Sequence, residues 1–204
     1  MKIGKRVVSV LIIGLISLCA CQSVVFLFYG VRKPHPVSSK KIDQKAIRLG
    51  IDTNRLYSIR PKYYPKLLHE IGTFPNIRTY DSNGLLYNYW ESPDECKSGA
   101  ASFIETMNPD SVYRTLNDSS FFRLQEQIER LHGGDFDLEQ LPDADYYAVI
   151  FWGTMLGKVN NQYVEPWIQK SKQNPNARIH LIFVSCDIRK EWGKDYWKLW
   201  ERPE

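Results

Sequence analysis

The run Tyr146-Tyr147-Ala148-Val149-Ile150-Phe151-Trp152 determines the fold expected of this 204-residue chain. A continuous apolar run of strand length is typical of a central strand that is covered on both faces. Residues 178–186 form a second such run, and Asn160 or Asn161 can cap a helix between the two runs, with Pro166 in its first turns. A strand, a helix and a second strand in this order predict a βαβ unit with parallel strands. We therefore expect an α/β domain built around these two strands.

Shorter patterns predict how the sheet and its helices continue. Two β-type runs in 77–90 are separated by Ser82-Asn83-Gly84, and Asn-Gly between such runs is a strong signal for a hairpin. Residues 100–107 predict a short helix. A longer helix is expected to open at Asp118-Ser119-Ser120 and to end at Gly133-Gly134.

The formal charge of +4 hides a strong asymmetry along the chain. Residues 1–31 carry three basic residues and no acid, and residues 32–66 carry ten basic residues against two acids. Residues 67–204 carry 14 basic residues against 21 acids, which is a net charge of −7. An acidic domain lacks the positive field that nucleic-acid binding needs, so we expect no nucleic-acid partner.

The N-terminal segment is expected to enter a membrane. No charged residue occurs in 7–31, and about 25 residues of helix span roughly 37 Å, enough to cross a hydrocarbon core of about 30 Å. Residues 1–31 are therefore interpreted as a transmembrane anchor or a signal segment. The run Leu18-Cys19-Ala20-Cys21 also resembles a lipobox, with Cys21 as the lipidated cysteine. The apolar run continues beyond Cys21, which favours an uncleaved signal anchor over a lipoprotein signal.

Residues 32–66 are expected to form a basic stalk between the membrane and a domain at 67–204. Prolines and two adjacent serines favour an extended linker over 32–42. Residues 41–56 can form a short basic helix. Its apolar stripe consists of Ile42, Ala46, Leu49 and Ile51. The stalk is either a solvated spacer or a segment attracted to anionic lipid headgroups.

The segment 149–159 resembles the active-site region of the thioredoxin-like superfamily. Members of that family have a buried strand, the motif Phe-Trp-Ala-Thr-Trp, and then Cys-Gly-Pro-Cys at the start of the next helix. Trp152 and Thr154 keep the residue types of the family. The remaining motif positions hold Met155, Leu156, Gly157, Lys158 and Val159. The resemblance implies a three-layer α/β domain with a central mixed sheet.

The same alignment implies that the domain has lost its redox chemistry. Leu156 and Val159 occupy the two cysteine positions, whereas disulfide exchange needs an activated thiolate and a second thiol. Only 18 residues follow Cys186, too few for the hairpin, cis-proline loop and final helix that are usual in the family. The domain is therefore either truncated, or its sheet is completed by the hairpin at 77–90.

Two further thiols, Cys96 and Cys186, can pair, act as a distant dithiol or remain free. Cys186 ends a predicted buried strand, where a small and inert side chain is expected. Acids flank Cys96, and they disfavour its thiolate form. The four histidines lack metal-ligand spacing and no nucleotide motif is present, so we expect neither a metal nor a cofactor.

Aromatic residues are concentrated near the C-terminus. They are Trp192, Tyr196, Trp197 and Trp200. These residues are expected either to pack a last helix on the sheet or to form a partner surface, because Trp and Tyr are frequent at binding hot spots. A second candidate surface for a protein partner lies near residues 155–158, where the parent fold binds polypeptide.

These features predict a single-pass protein of a bacterial cell membrane with its domain in the periplasm. We expect a redox-inactive domain that acts in protein binding or envelope assembly and is not an enzyme. One alternative is a thiol-disulfide oxidoreductase-like protein that uses Cys96 and Cys186. Another is a structural lipoprotein of the envelope that is lipidated at Cys21.

Overall fold

The computed structural model describes residues 28–87, 99–116, 120–194 and 196, which form five α-helices and one mixed sheet of seven strands. The helices are α1 (Ser39–Arg48), α2 (Tyr64–Ile71), α3 (Gly99–Thr106), α4 (Ser120–Gln127) and α5 (Val159–Gln173). The strands are β1 (Leu56–Ile59), β2 (Asn76–Asp81), β3 (Leu86–Tyr87), β4 (Thr115–Leu116), β5 (Ile128–Arg130), β6 (Tyr146–Trp152) and β7 (Ile179–Ser185). The predicted α/β class is confirmed.

Strand β6 lies at the centre of the sheet, whose order is β4-β3-β2-β6-β7-β1-β5. It pairs in parallel with β7 over its whole length, ending at Trp152 opposite Ser185. On its other side it pairs antiparallel with β2, so that Asn76 lies opposite Phe151. Helix α5 connects β6 to β7, which confirms the predicted βαβ unit. The hairpin around Asn83-Gly84 forms as β2 and β3, and it completes the sheet beside β6.

Helices cover both faces of the sheet, because side chains of a strand alternate between its two faces. Ala148, Ile150 and Trp152 of β6 pack in one apolar cluster with side chains of α1, α3 and α5. Val149 and Phe151 pack in a second cluster with side chains of α2 and α4. Both faces of β6 are therefore buried, as its unbroken apolar sequence predicts.

The segment 32–66 differs from the stalk that its charge suggests, because it belongs to the folded domain. The short basic helix predicted at 41–56 forms as α1 but ends at Arg48. Its apolar residues are buried in the first cluster: Ile42 and Ala46 within α1, and Leu49 and Ile51 just after it. Strand β1 then lies parallel to β7 inside the sheet. The basic side chains occupy the remaining faces of the helix, so a high charge density is compatible with a buried stripe.

Two helix boundaries also differ from the expectation. The helix predicted to run to Gly133 ends at Gln127, and Ile128–Arg130 pairs with β1 as strand β5 instead. Ile128 is fully buried in this strand, and an apolar residue at that position fits either element. Pro166 lies in the interior of α5 rather than in its first turns. Burial of Val164 and Trp167 on either side of it accounts for the continuation of the helix.

The predicted anchor at 1–31 lies outside the described residues, except for 28–31. Among the helices of the described ranges, none has the length and hydropathy needed to cross a bilayer. Residues 28 and 29 are helical and lead into a turn at Gly30.

We predict that α1 contributes to the stability of the domain rather than serving as a spacer. Ile42 is 0% exposed and Ile47, in the same helix, is 64% exposed. Ile42→Ala should lower the free energy of unfolding by about 2–5 kcal/mol because it leaves a cavity in the core. Ile47→Ala is the matched control and should change that free energy by less than about 0.5 kcal/mol. Urea unfolding of the full-length protein in a non-ionic detergent measures both, and equal effects would contradict the integration of α1.

Candidate functional site

The loop between β6 and α5 gathers the residues of the degenerate motif. Trp152 ends β6 and is fully buried, Thr154–Leu156 forms one 3-10 turn, and Lys158 is the N-cap residue of α5. Gly157 has a φ of +55° between the turn and the helix. We refer to residues 153–158 as the β6–α5 loop. The predicted site residues are thus neighbours at the carboxyl end of the central strand.

Asp187 holds the β6–α5 loop in place. The backbone N–H of Thr154 donates to both carboxylate oxygens of Asp187, at 3.0 and 2.9 Å, and the Thr154 hydroxyl donates to Oδ1 at 2.6 Å. The Ser185 hydroxyl donates to Oδ2 at 2.9 Å. This contact follows from the register of the sheet, because Trp152 and Ser185 are paired and the residues just beyond them must meet.

Asp187 is almost completely removed from solvent, at 3% exposure. Burial raises the pKa of the Asp187 carboxyl above its ordinary value of 3.8, while hydrogen bonds from Thr154 and Ser185 and the charge of His35 act in the opposite direction. The carboxyl group is thus a buried acceptor that is satisfied by three donor groups. It is suited to holding the loop and has little access to a substrate.

The chain at 29–32, which includes the last residues of the predicted anchor, covers the β6–α5 loop. The N–H of Lys158 donates to the carbonyl oxygen of Tyr29 at 2.8 Å, and the N–H of Arg32 donates to the carbonyl oxygen of Met155 at 2.8 Å. A Cβ atom at Gly157 would collide with the carbonyl oxygens of Tyr29 and Gly30. This close approach requires a glycine. Part of the surface near 155–158, expected to receive a partner, is occupied by the chain itself.

Buried polar groups beneath the loop are only partly satisfied. The Asn160 side-chain amide donates to the Gly153 carbonyl oxygen at 2.8 Å, which fixes the start of α5 against the end of β6. Asn160 Oδ1 and Trp152 Nε1 are buried, and neither has a hydrogen-bond partner among the described residues. Such groups are uncommon in folded proteins and mark this end of the sheet as unusual.

One feature near the loop was missed by the sequence analysis. The peptide bond between Phe74 and Pro75 is cis and directly precedes β2. Because Asn76 lies opposite Phe151, Pro75 lies beside the end of β6 that carries the loop. In the sequence, Pro75 lies two residues before the predicted strand at 77–81 and was the only local signal for this turn. It did not indicate that the strand pairs with β6.

The candidate thiol Cys186 is placed where no reagent can easily reach it. Its side chain is fully buried in the second cluster, and burial raises its pKa well above the ordinary value, with the charge of Asp187 adding to the effect. A thiol of this kind is a poor nucleophile. The candidates Cys21 and Cys96 lie outside the described residues.

Trp192 and Tyr196, the C-terminal aromatic residues within the described ranges, contribute to the core on the side of α2. Trp192 is half-buried, and its ring centroid lies 5.1 Å from that of Tyr64 and 5.1 Å from that of Tyr196. Trp192 thus covers the second cluster, and this packing corresponds to the first of the two alternatives for the C-terminal aromatics. The other two candidates, Trp197 and Trp200, lie outside the described residues.

Within the described part of the chain there is no cluster of His, Cys, Asp or Glu that could hold a metal ion.

Comparisons of the chain with protein-family models, with curated proteins and with solved structures found no match. The features of the chain that bear on function are therefore the geometry of the β6–α5 loop and its surroundings.

We predict that Asp187→Asn changes the pH dependence of stability. The pKa of Asp187 is raised by folding, so the folded protein keeps this proton at pH values where the unfolded chain has released it. The resulting stabilisation is complete below the unfolded pKa of 3.8 and is lost as the pH rises through the folded value. The wild type should therefore lose free energy of unfolding relative to D187N over the pH range above about 4, where the unfolded chain has released this proton. Urea unfolding across this range measures the difference, and a relative gain by the wild type would contradict the account.

We also predict that Gly157→Ala detaches the chain at 29–32 from the loop. The added methyl group would collide with the carbonyl oxygens of Tyr29 and Gly30, so the chain at 29–32 must move away from the loop. In addition, φ at this position is unfavourable for alanine. Trypsin should cleave after Arg32 faster than in the wild type, and the free energy of unfolding should fall by about 1–3 kcal/mol. The matched control is Gly99→Ala, where an added Cβ has no neighbour within 4 Å. Cleavage at equal rates in the two variants would contradict the docking.

Proposed function

We propose that this protein is a membrane-anchored envelope protein whose thioredoxin-like domain acts by binding rather than by thiol-disulfide exchange. The observation that carries the proposal is the β6–α5 loop, which lacks thiols and is clamped between Asp187 and the chain at 29–32. A loop that carries out thiol-disulfide exchange must be accessible to the disulfide bond of its substrate. This loop is instead used to join the N-terminal segment to the domain.

The thioredoxin-like assignment is supported by topology as well as by the motif. A βαβ unit of β6, α5 and β7 lies beside an antiparallel hairpin of β2 and β3, and helices cover both faces of the sheet. The cis peptide at Pro75 lies next to the loop. The hairpin, which in the family follows the βαβ unit, precedes it here.

The membrane anchor is supported by continuity of the chain. The uncharged run at 7–31 includes Tyr29 and Gly30, which pack against the loop, so no linker separates the run from the domain. A domain joined in this way is held close to the bilayer, with the loop end of its sheet towards the membrane. Protein binding or a role in envelope assembly fits such a fixed and non-redox domain.

The competing oxidoreductase hypothesis requires Cys186 to react. Its complete burial and its raised pKa disfavour this. In the native full-length protein, iodoacetamide should leave the peptide that contains Cys186 unmodified, whereas the urea-unfolded protein should be alkylated there. Peptide mass mapping measures both states.

Two assays complete the test of the proposed function. The protein should remain in the membrane fraction after alkaline carbonate extraction, and it should not accelerate insulin reduction above background. Insulin reduction that is abolished by Cys186→Ser would overturn the redox-inactive assignment. Release by carbonate would overturn the anchor. Retention that depends on Cys21, tested with Cys21→Ala, would replace the spanning anchor by a lipid modification.

A further inference from the structure

A basic pocket lies where α1, the β6–α5 loop and the chain at 29–32 meet. It encloses about 440 Å³, which is within the range of about 300–1,000 Å³ that is typical of small-molecule sites. Its charged lining residues are Arg32, Lys41, Lys45, Arg48 and Lys158. The polar residues Gln44 and Thr154 lie between them. We call this the basic pocket.

The lining of the basic pocket carries five positive charges and, among the described residues, no carboxylate. Within the same described part of the chain, none of the five cations forms a salt bridge. Lys45 donates to Asn161 Oδ1 at 3.2 Å, a neutral acceptor. Burial and the neighbouring Arg48 lower the pKa of Lys45, and Glu165 only partly opposes them. The cations thus repel one another. Compensation within the described residues comes from Asn161 and Glu165 near Lys45 and from the Phe28 ring, whose centroid lies 5.1 Å from Lys158 Nζ.

This concentration of charge is assembled by folding rather than by one basic stretch of sequence. Lys41, Lys45 and Arg48 lie on one face of α1, at spacings of four and three residues. Lys158 comes from the start of α5, more than 100 residues later in the chain, and Arg32 is positioned by its backbone bond to Met155. Like charges brought together in this way destabilise a fold unless an anion binds among them.

The start of α5 adds to the positive potential of the pocket. Lys158 is the N-cap residue of this 15-residue helix, and the first turn of the helix contains no acidic residue. The helix dipole favours anions at such a position. The cations on α1 and the start of α5 therefore act on the same space.

We propose that the basic pocket binds a phosphate group. Phosphate presents several charged oxygens to several donors at once, which matches a lining of lysine and arginine side chains. Two sources share this chemistry: the headgroup of an anionic membrane phospholipid and a soluble phosphorylated compound. The lipid source rests on the proposed function, because only an anchored chain holds Tyr29 and Gly30, which line the pocket, at the bilayer surface.

Titration calorimetry on the full-length protein in an uncharged detergent tests this site. The soluble probe is inorganic pyrophosphate, and the lipid probe is dihexanoyl phosphatidylglycerol, with dihexanoyl phosphatidylcholine as its zwitterionic counterpart. Lys41→Gln/Lys158→Gln removes two charges from the pocket and should weaken binding by about tenfold or more. Lys40→Gln/Lys172→Gln removes two lysine charges from the same two helices outside the pocket and should change the affinity by less than about twofold.

The outcomes separate the source of the phosphate from the existence of the site. Binding of phosphatidylglycerol but not of phosphatidylcholine supports the lipid source, and binding of pyrophosphate alone supports a soluble ligand. Because the pyrophosphate measurement needs no membrane, it still reports on the pocket if carbonate extraction disproves the anchor. Failure of the wild type to bind either phosphate probe, or an equal loss of affinity in both double variants, would overturn the proposal.

Discussion

The hydrogen bonds from Thr154 to Asp187 are the contacts on which the rest of the site depends. They join the residues that follow β6 to the residues that follow β7, and so they fix the direction in which the chain leaves the central strand. The start of α5 and the docking of residues 29–32 both follow from that direction. A carboxyl group can be buried here because each of its oxygens accepts hydrogen bonds from Thr154 or Ser185.

The consequence is that the carboxyl end of the central strand serves as a junction. At this position Leu156 is buried, and Gly157 admits the backbone of Tyr29 and Gly30. The same junction brings the start of α5 close to α1, which creates the basic pocket. Five of the 27 lysine and arginine residues of the chain therefore surround one cavity, at the end of the domain from which residues 28–32 extend.

The parts of the fold that the sequence predicts are those with strong local patterns. The long apolar runs of β6 and β7 identify buried strands, and Asn83-Gly84 identifies the hairpin, because each pattern lies within a few residues. Strand β1 has only four residues and includes Ser58, which is buried and accepts a hydrogen bond from Arg189 at 3.1 Å. Its surroundings are dominated by charge, so the sequence alone suggests a stalk.

The candidate site is predictable in position but not in its contacts. Residues 152–159, which carry the resemblance, run from the end of β6 into the start of α5. The bond between Thr154 and Asp187 joins residues 33 positions apart, and it depends on the register of two strands, which no local pattern reveals. The basic pocket depends on three distant segments and on the docking of residues that sequence analysis assigned to the membrane. For the same reason, the boundary between α4 and β5 depends on pairing with β1 and not on the local apolar spacing.

Hydrogen–deuterium exchange of the Thr154, Lys158 and Arg32 amides, measured on the full-length protein in detergent, tests the junction most directly. These three N–H groups donate to Asp187, Tyr29 and Met155, respectively. The account predicts that all three are strongly protected and that they exchange only when this end of the domain opens. Exchange of these amides at the rate of an exposed loop would contradict the claim that the β6–α5 loop is a clamped junction between the N-terminal segment and the domain.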